Sequence, residues 1–321
     1  MQRLKTRLVS LVSRLWQTDA PLTAVGLLML GLLGAALVGM WADPRTITGV
    51  PAWLKPAKFA ASIAIYTLTL AWVFTYLQAW TRTRRIVSWT TAVVMVVEMA
   101  IIVMQAWRGT TSHFNIGTPL DATLFTVMGA SIALQTLVAI AVAVALWRHT
   151  FDDRSIGWAL RLGMTITLIG AFSGGLMTRP TTTQLEQARA GQGMTIVGAH
   201  TVGAPDGGRG LPGTGWSVEH GDLRVAHFLG LHALQALALL ALLLRRWRWA
   251  DRARPRLVVV AGSSYALLFA LLLWQALRGQ SVLNPDATTI GALVLCAAAT
   301  AGAAWIVAAR PHVAGTHAAA Y

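Results

Sequence analysis

Long apolar runs separated by short polar connections recur along the whole chain. Each run holds about 20 residues, enough for an α-helix to cross a hydrocarbon layer ~30 Å thick. We place eight spans at residues 22–41, 58–79, 86–107, 122–147, 157–178, 223–244, 257–277 and 287–309. The runs lack the short alternating pattern of an outer-membrane barrel. The pattern therefore predicts an all-α integral membrane protein with eight transmembrane helices.

Composition agrees with this class. Hydrophobic residues make up 55% of the 321, only 12% are charged, and the mean hydropathy is +0.58. A soluble domain of this size needs more charge to cover its surface. The single cysteine, Cys296, lies in the last span, which excludes a dithiol mechanism or a multi-cysteine metal site within one chain.

Positive charge is concentrated in the short connections between spans. With the N-terminus in the cytoplasm, the inner segments hold sixteen Lys and Arg and the outer segments nine. This bias predicts an inner (plasma) membrane protein with both termini cytoplasmic. Orientation in a lipid bilayer thereby explains the net charge of +14. The position of the charge, in the connections between spans, argues against a nucleic-acid partner.

Residues 1–20 precede the first span. Leu4, Leu8, Leu11, Val12 and Leu15 share one helical stripe, and the basic residues lie largely off it. This pattern predicts an amphipathic helix in the cytoplasmic membrane surface, and a solvated basic leader is the alternative.

A segment between the third and fourth spans returns later in shortened form. Gln105–Thr123 reads QAWRGTTSHFNIGTPLDAT, and Gln275–Thr288 reads QALRGQSVLNPDAT between the seventh and eighth spans. Both copies fall at the outer turn of a membrane hairpin. The recurrence predicts a parallel internal duplication of a four-helix unit. The halves cover residues 21–150 and 151–310, and a cytoplasmic tail follows at 311–321.

The second half carries an insertion at about residues 180–215. Pro180, Thr181–Ala190 and Gly191 predict one short helix, whereas the Gly- and Pro-rich remainder predicts irregular loop. A connection of this length is either a lid on the outer face or a poorly ordered excursion.

The recurring hairpin contains three kinds of polar residue. Asp121 and Asp286 stand before inward apolar runs, where they are expected to cap the first N–H groups of the fourth and eighth spans. Arg108 and Arg278 end the preceding spans and can snorkel to the interface. Capping does not require glutamines one turn inside the membrane, at Gln105 and Gln275.

Four basic residues occupy related positions at the outer ends of four spans: Lys58, Arg108, Arg224 and Arg278. If the halves face each other, these residues converge and, with Gln105 and Gln275, bind an anionic group or a lipid headgroup. The alternative is local pairing with the nearby carboxylates of Asp43, Asp121, Asp222 and Asp286.

Three residues lie deep in the predicted spans: Glu98, His232 and Tyr66. An ionisable residue at that depth is a functional candidate because its charged form is costly there unless it is paired. We expect Glu98 and His232 to form a pair that handles a proton, with Tyr66 nearby. The alternative is a protonated Glu98 that hydrogen-bonds a neighbouring helix.

An eight-span chain made of two four-helix halves resembles the architecture of haem A synthase. Bis-histidine haem ligation requires histidines on facing helices, which this sequence does not offer. His227 and His232 share one span, five residues apart, and no other span contains a histidine. The sequence therefore argues against intramembrane haem and leaves the cofactor unknown.

An outer-surface metal site is a further hypothesis. His113, His220 and His227 are candidate ligands near the mouths of the third and sixth spans, with Glu219 or Asp222 beside them. The spacing matches no familiar zinc motif.

Two functional hypotheses follow. The first is binding or transport of a small anionic or amphiphilic ligand at an outward-facing site between the halves. The second is an outer-leaflet membrane enzyme, with or without a metal ion, and a structural subunit of a membrane complex is a third option. The sequence leaves enzymatic activity, catalytic residues and oligomeric state open.

Overall fold

The computed structural model describes residues 2–247 and 249–309. The helices are α1 Gln2–Thr18, α2 Ala20–Ala42, α3 Leu54–Val73, α4 Thr81–Trp107, α5 Pro119–Arg148, α6 Arg154–Ser173, α7 Thr182–Arg189, α8 Leu223–Leu231, α9 Ala233–Arg246, α10 Ala253–Leu277 and α11 Ala287–Ala309. Short strands form two antiparallel pairs, β1 Thr46–Ile47 with β2 Val50–Pro51 and β3 Thr201–Val202 with β4 Gly221–Asp222. The tail predicted at 311–321 lies outside the described residues.

Within the described residues, seven helices are long and apolar enough to cross a membrane, or eight if α8 and α9 form one bent span. These helices suggest a multi-pass membrane protein. The second span was predicted at 58–79, but its helix starts earlier, at Leu54, and ends at Val73. Residues 74–80 turn instead, since Leu77 N and Trp80 N donate to the carbonyls of Phe74 and Leu77.

The helices alternate in direction, so the bundle has two distinct ends. We call one the basic end, which carries α1 and the connections 74–80, 149–153 and 247–252. The other is the lid end, which carries the connections 43–53, 108–118, 177–222 and 278–286. At the basic end, Asp19 caps α2 by accepting from Leu22 N at 3.1 Å. Asp153 caps α6 by accepting from Ser155 N at 2.9 Å.

The two halves of the chain pack their helices in the same order. In the first half, α2 packs on α3 and α4, and α4 packs on α5. In the second half, α6 packs on α8, α9 and α10, and α10 packs on α11. The halves meet where α5 contacts α6.

A single large apolar core joins the halves at the basic end. It combines the last turns of α3 with the later turns of α5, the first half of α6, and α9. Its fully buried side chains include Leu70, Phe74, Leu146, Leu160 and Leu234. We call this core the seam.

Glycines allow α6 and α8 to touch backbone to backbone nearer the lid end. A Cβ added at Gly170 would lie 2.6 Å from backbone atoms of Gly230, and one added at Gly230 would lie 2.5 Å from Gly170. Only glycine fits at either position without moving a helix.

The connection at residues 177–222, which contains the predicted insertion, folds over the lid end, and we call it the lid. Its helix α7 begins with a capping box, in which Thr181 and Gln184 bond each other's backbone N–H. The lid contacts the recurring hairpins through isolated β-bridges, Asn115 with Ile196 and His220 with Gln280. These contacts hold it against both hairpins.

Candidate functional site

The first hairpin closes through Asp121. The side chain of Gln105 donates to Asp121 Oδ1 at 2.8 Å, and Arg108 Nη1 lies 2.6 Å from the same oxygen. Asp121 was expected to cap α5, but this prediction was wrong. The cap is Thr118, which accepts from Asp121 N at 3.1 Å, because α5 begins before Asp121 and places that carboxylate within its first turn.

The second hairpin closes through Asp286. Arg278 Nη2 lies 2.5 Å from Asp286 Oδ2, and the Arg278 guanidinium stacks 4.5 Å from the centre of the Trp274 ring. Asp286 also accepts from Thr289 N at 2.8 Å at the start of α11. Arg108 and Arg278 thus each pair with the aspartate of their own hairpin, and the structure does not bring the two arginines together.

The other two basic residues, Lys58 and Arg224, bind neighbouring carbonyl groups of the lid. Lys58 Nζ, from α3, donates to Thr214 O at 2.6 Å. Arg224 Nη2, from α8, donates to the adjacent carbonyl, Gly215 O, at 2.7 Å. Arg224 is also held by the buried carboxylate of Asp222 at 2.5 Å. One residue from each half of the chain therefore holds the same stretch of lid.

Lys55 is the site residue that the sequence analysis missed. It lies one turn before Lys58 on α3, and its ammonium stands 5.8 Å from the centre of the Phe59 ring. Its electrostatic neighbours are Lys58, Glu98, Arg224 and Asp206. In the described part of the chain no carboxylate lies within ion-pair distance of Lys55 or Lys58, and Lys55 makes no hydrogen bond through its side chain. The sequence feature that could have identified Lys55 is its spacing of three residues from Lys58, which puts both lysines on one face of α3.

Two histidines beneath the lid, His113 and His200, interact electrostatically with Lys55, and His227 lies next to them. His113 interacts electrostatically with Lys55, His200 and His227. Burial and the charge of Lys55 lower the pKa of His113 well below its usual range. Ser112 Oγ lies 3.1 Å from His113 Nδ1. A neutral imidazole therefore lies next to the lysine.

His200 belongs to the lid and His227 to α8. His200 Nδ1 donates to Asp206 Oδ2 at 2.7 Å, and the His200 ring packs edge-on against Phe114 at 4.8 Å. Burial lowers the pKa of His200, although the hydrogen bond to Asp206 opposes this effect. His227 Nδ1 donates to Gly170 O at 2.8 Å.

The predicted trio of metal ligands does not assemble. His113 and His227 approach each other, but His220 pairs its backbone with Gln280 and lies apart from them. Glu219 is exposed and lies 3.9 Å from Arg209. Among residues 2–247 and 249–309, no group of three His, Cys, Asp or Glu is positioned to hold a metal ion.

The deep residues also differ from the expected arrangement. Glu98 is 3% exposed, and its charged neighbour is Lys55 rather than His232. The His232 ring packs on Phe228, with 4.4 Å between centroids. Tyr66 accepts a hydrogen bond from Gln135 Nε2 at 3.1 Å. The predicted Glu98–His232 pair is wrong, because His232 lies at a break in its helix and packs on its own turn.

That break lies at His232, where α8 and α9 meet at 47°. Side chains from two other helices bond the backbone there: Tyr265 Oη donates to Leu229 O at 2.6 Å, and Thr167 Oγ1 accepts from Leu234 N at 3.2 Å. Backbone groups freed in a broken membrane helix need such partners. Internal proline, the usual sign of such a break, is missing from this span.

Comparisons with protein-family models, with curated proteins and with solved structures give no match for this chain.

Proposed function

We propose that the chain binds a small anionic or amphiphilic ligand beneath the lid, at Lys55, Lys58 and Arg224, and carries it across the inner membrane. The lid end faces away from the cytoplasm, as the positive-inside bias requires. The two four-helix units are a parallel duplication, and the ligand site lies between them.

One observation carries this proposal: an ammonium group without a carboxylate partner lies beside two further cations. Lys55 is near enough to Lys58 and Arg224 to feel their charges, and Arg224 alone of the three has a carboxylate within ion-pair distance in the described residues. Like charges held together in a half-buried place repel each other, and an anion relieves that repulsion. Lys58 and Arg224 now donate to lid carbonyls, which an anion can replace as acceptors.

The helix break supports transport over simple binding. Discontinuous helices at a repeat interface are typical of secondary transporters, whose unwound backbone lies near the site. The break at His232 lies on α8–α9, the span that also carries His227 and Arg224 toward the lid.

The duplication is supported by more than the recurring sequence. Gln105 and Gln275 both donate to the carbonyl six residues later. Gly109 and Gly279 both follow the hairpin arginines with φ near +70°, at +73° and +72°. The helices of each half also pack in the same order.

Thermal unfolding in nanodiscs tests the anion site. Phosphate and a dicarboxylate are titrated in zwitterionic nanodiscs, and a third arm compares nanodiscs with anionic lipid to separate a headgroup from a free anion. We expect saturable stabilisation by at least one probe. Lys55→Met should weaken it about tenfold or more, the weight of one charge-assisted hydrogen bond.

Arg278→Gln is the matched control, because Arg278 pairs with Asp286 within its own hairpin. It should bind as wild type does. Equal affinity in Lys55→Met, or no stabilisation of the wild type by any probe, overturns the proposal. Stoichiometric metal in the purified protein, lost in His227→Ala, would instead favour the metal-assisted enzyme.

A further inference from the structure

The buried face of α4 carries a stripe of polar residues from one end of the bundle to the other. Arg84, Thr91, Glu98 and Gln105 follow each other at intervals of seven. Seven residues fall ~20° short of two helical turns, so the four lie on one side, about 10 Å apart. Ser88 lies on the same face, and Ser88, Thr91, Glu98 and Gln105 are all buried.

Several polar atoms on this stripe lack partners in the described residues. Arg84 Nε, Thr91 Oγ1 and Glu98 Oε2 are buried without a hydrogen bond. The Thr91 hydroxyl is unusual, since Thr67 and Thr136 in neighbouring helices bond the carbonyl four residues back. Buried polar groups in native proteins nearly always bond protein or ordered water. These atoms can therefore bind water between the side chains.

The second half of the chain lacks this polarity at the corresponding positions. The residues 170 positions further along α10 include Arg254 and Gln275, which match the ends of the stripe. Its middle is apolar: Val258, Ala261 and Leu268 stand where α4 has Ser88, Thr91 and Glu98. Of these three residues only Val258 is buried, whereas their three counterparts on α4 are all buried. Burying a carboxyl group costs several kcal/mol, so its presence in α4 indicates a function.

The stripe reaches the surface at the basic end. Ser88 Oγ donates to Asp19 Oδ1 at 2.6 Å, and Asp19 caps α2 at the junction with α1. Arg84 Nη2 donates to Thr18 O at 2.6 Å beside it. Toward the lid end, Glu98 interacts electrostatically with Lys55, and Gln105 ends the stripe.

We propose that Glu98, Thr91, Ser88 and Asp19 form a proton path between the site beneath the lid and the basic end. Glu98 releases its proton to a chain of waters that spans the ~10 Å to Thr91, becomes a carboxylate, and the last water passes a proton to the Thr91 hydroxyl. The Thr91 and Ser88 hydroxyls each accept one proton and donate their own, so they end neutral. Asp19 takes up the arriving proton and releases it to solvent, and Glu98 is reprotonated from the lid side.

Few charged groups face Glu98 from the elements packed on α4. α3 contributes Lys55 and the phenol of Tyr66. α5 has Asp121 at the lid end and Arg148 at the basic end, and α2 has no titratable side chain. Among the described residues of these helices, Glu98 is therefore the carboxyl group in the middle of the bundle, at the lid-side start of the path.

Proton flux into liposomes tests the path without any anionic ligand, so the result is independent of the proposed function. Purified protein is reconstituted with an internal pH-sensitive dye, and a potassium gradient with valinomycin drives protons inward. Wild type should exceed protein-free liposomes. Glu98→Gln, which keeps the side-chain shape, should lower the flux about 100-fold, and Thr91→Val and Asp19→Asn should each lower it markedly.

Thr136→Val is the matched control, because its hydroxyl bonds Ile132 O on α5 and lies off the path. It should conduct as wild type does. All variants are compared at equal reconstituted amount and unfolding temperature, and Glu98→Leu, which copies the residue of α10, provides a second test if Glu98→Gln misfolds. Wild-type flux no greater than in protein-free liposomes, or full flux in Thr91→Val, overturns the proposal.

Discussion

Gln105 and Gln275 make the same hydrogen bond in the two halves of the chain. Each side-chain amide donates to the backbone carbonyl six residues further on, Thr111 O at 3.3 Å and Ser281 O at 2.8 Å. Both glutamines are almost completely buried. The bond therefore fixes the turn that follows the helix, which explains why a polar residue lies one turn inside the membrane.

Replacing either glutamine should destabilise the protein. Gln275→Leu leaves a buried carbonyl without its donor, at a cost of about 1–3 kcal/mol. Gln105→Leu should cost more, because Gln105 also bonds Asp121. Thermal unfolding in detergent measures both, with the exposed lid variant Gln192→Ala as the control. Unchanged unfolding temperatures in both leucine variants would contradict this role.

The contact between α6 and α8 should not tolerate a methyl group. Gly170→Ala places a Cβ 2.6 Å from the backbone of Gly230, so the helices must move apart, at a cost of about 1–3 kcal/mol. Gly129→Ala on α5 meets nothing within 4 Å and should be neutral or slightly stabilising. Unfolding temperatures of the two variants decide the matter, and similar values would show that the helices can separate freely.

Acidification should loosen the lid. Burial holds the pKa of both His113 and His200 below the ordinary histidine value, so the folded protein binds fewer protons than the unfolded chain. The stabilisation is complete above about pH 6.5 and falls as the pH drops below it, by up to ~1.4 kcal/mol per pH unit for each group. Hydrogen exchange of residues 196–206 at about pH 7.5 and pH 5.5 measures the loss.

His113→Phe removes one of these titrating groups and keeps an aromatic ring beside Phe59 and Phe114. It should flatten the pH dependence, whereas His220→Asn, outside the cluster, should not. If His113→Phe shows the same pH profile as the wild type, His113 does not contribute to the pH dependence of lid stability.

The lid should be accessible from outside the cell and the basic end from inside. In a Cys296→Ala background, Gln192→Cys on the lid should react with a membrane-impermeant maleimide in intact cells. Asp152→Cys, exposed at the basic end, should react only after permeabilisation. Labelling of Asp152→Cys in intact cells would show that the protein has the opposite orientation.

Much of the fold could be predicted from the sequence, because apolar runs of span length leave few alternatives to a membrane helix. The helix in the insertion was predicted from Thr181 and Gly191 and is present at Thr182–Arg189. The break at His232 could not be predicted, since it depends on side chains from other spans, Thr167 and Tyr265, which bond the unwound turn.

The site was predicted less well, because charge pairing is decided by distances that sequence spacing does not contain. Arg108 and Arg278 lie close to carboxylates in their own turns and pair with them. Lys55 resembled an ordinary interfacial lysine, yet no carboxylate in the described residues lies within ion-pair distance of it.

The seam at the basic end is larger than the apolar cluster that joins the two halves at the lid end. Leu70, Phe74, Leu146, Leu160 and Leu234 are fully buried there. The lid end has only a smaller apolar cluster, around Phe114, Met177 and Leu223, and hydrogen bonds from Lys58 and Arg224 to lid carbonyls. Wetting five such side chains would cost about 1.5–3 kcal/mol each. In the transport that we propose, a ligand would therefore enter beneath the lid, and separation of the seam would be the slow step of its passage to the cytoplasm.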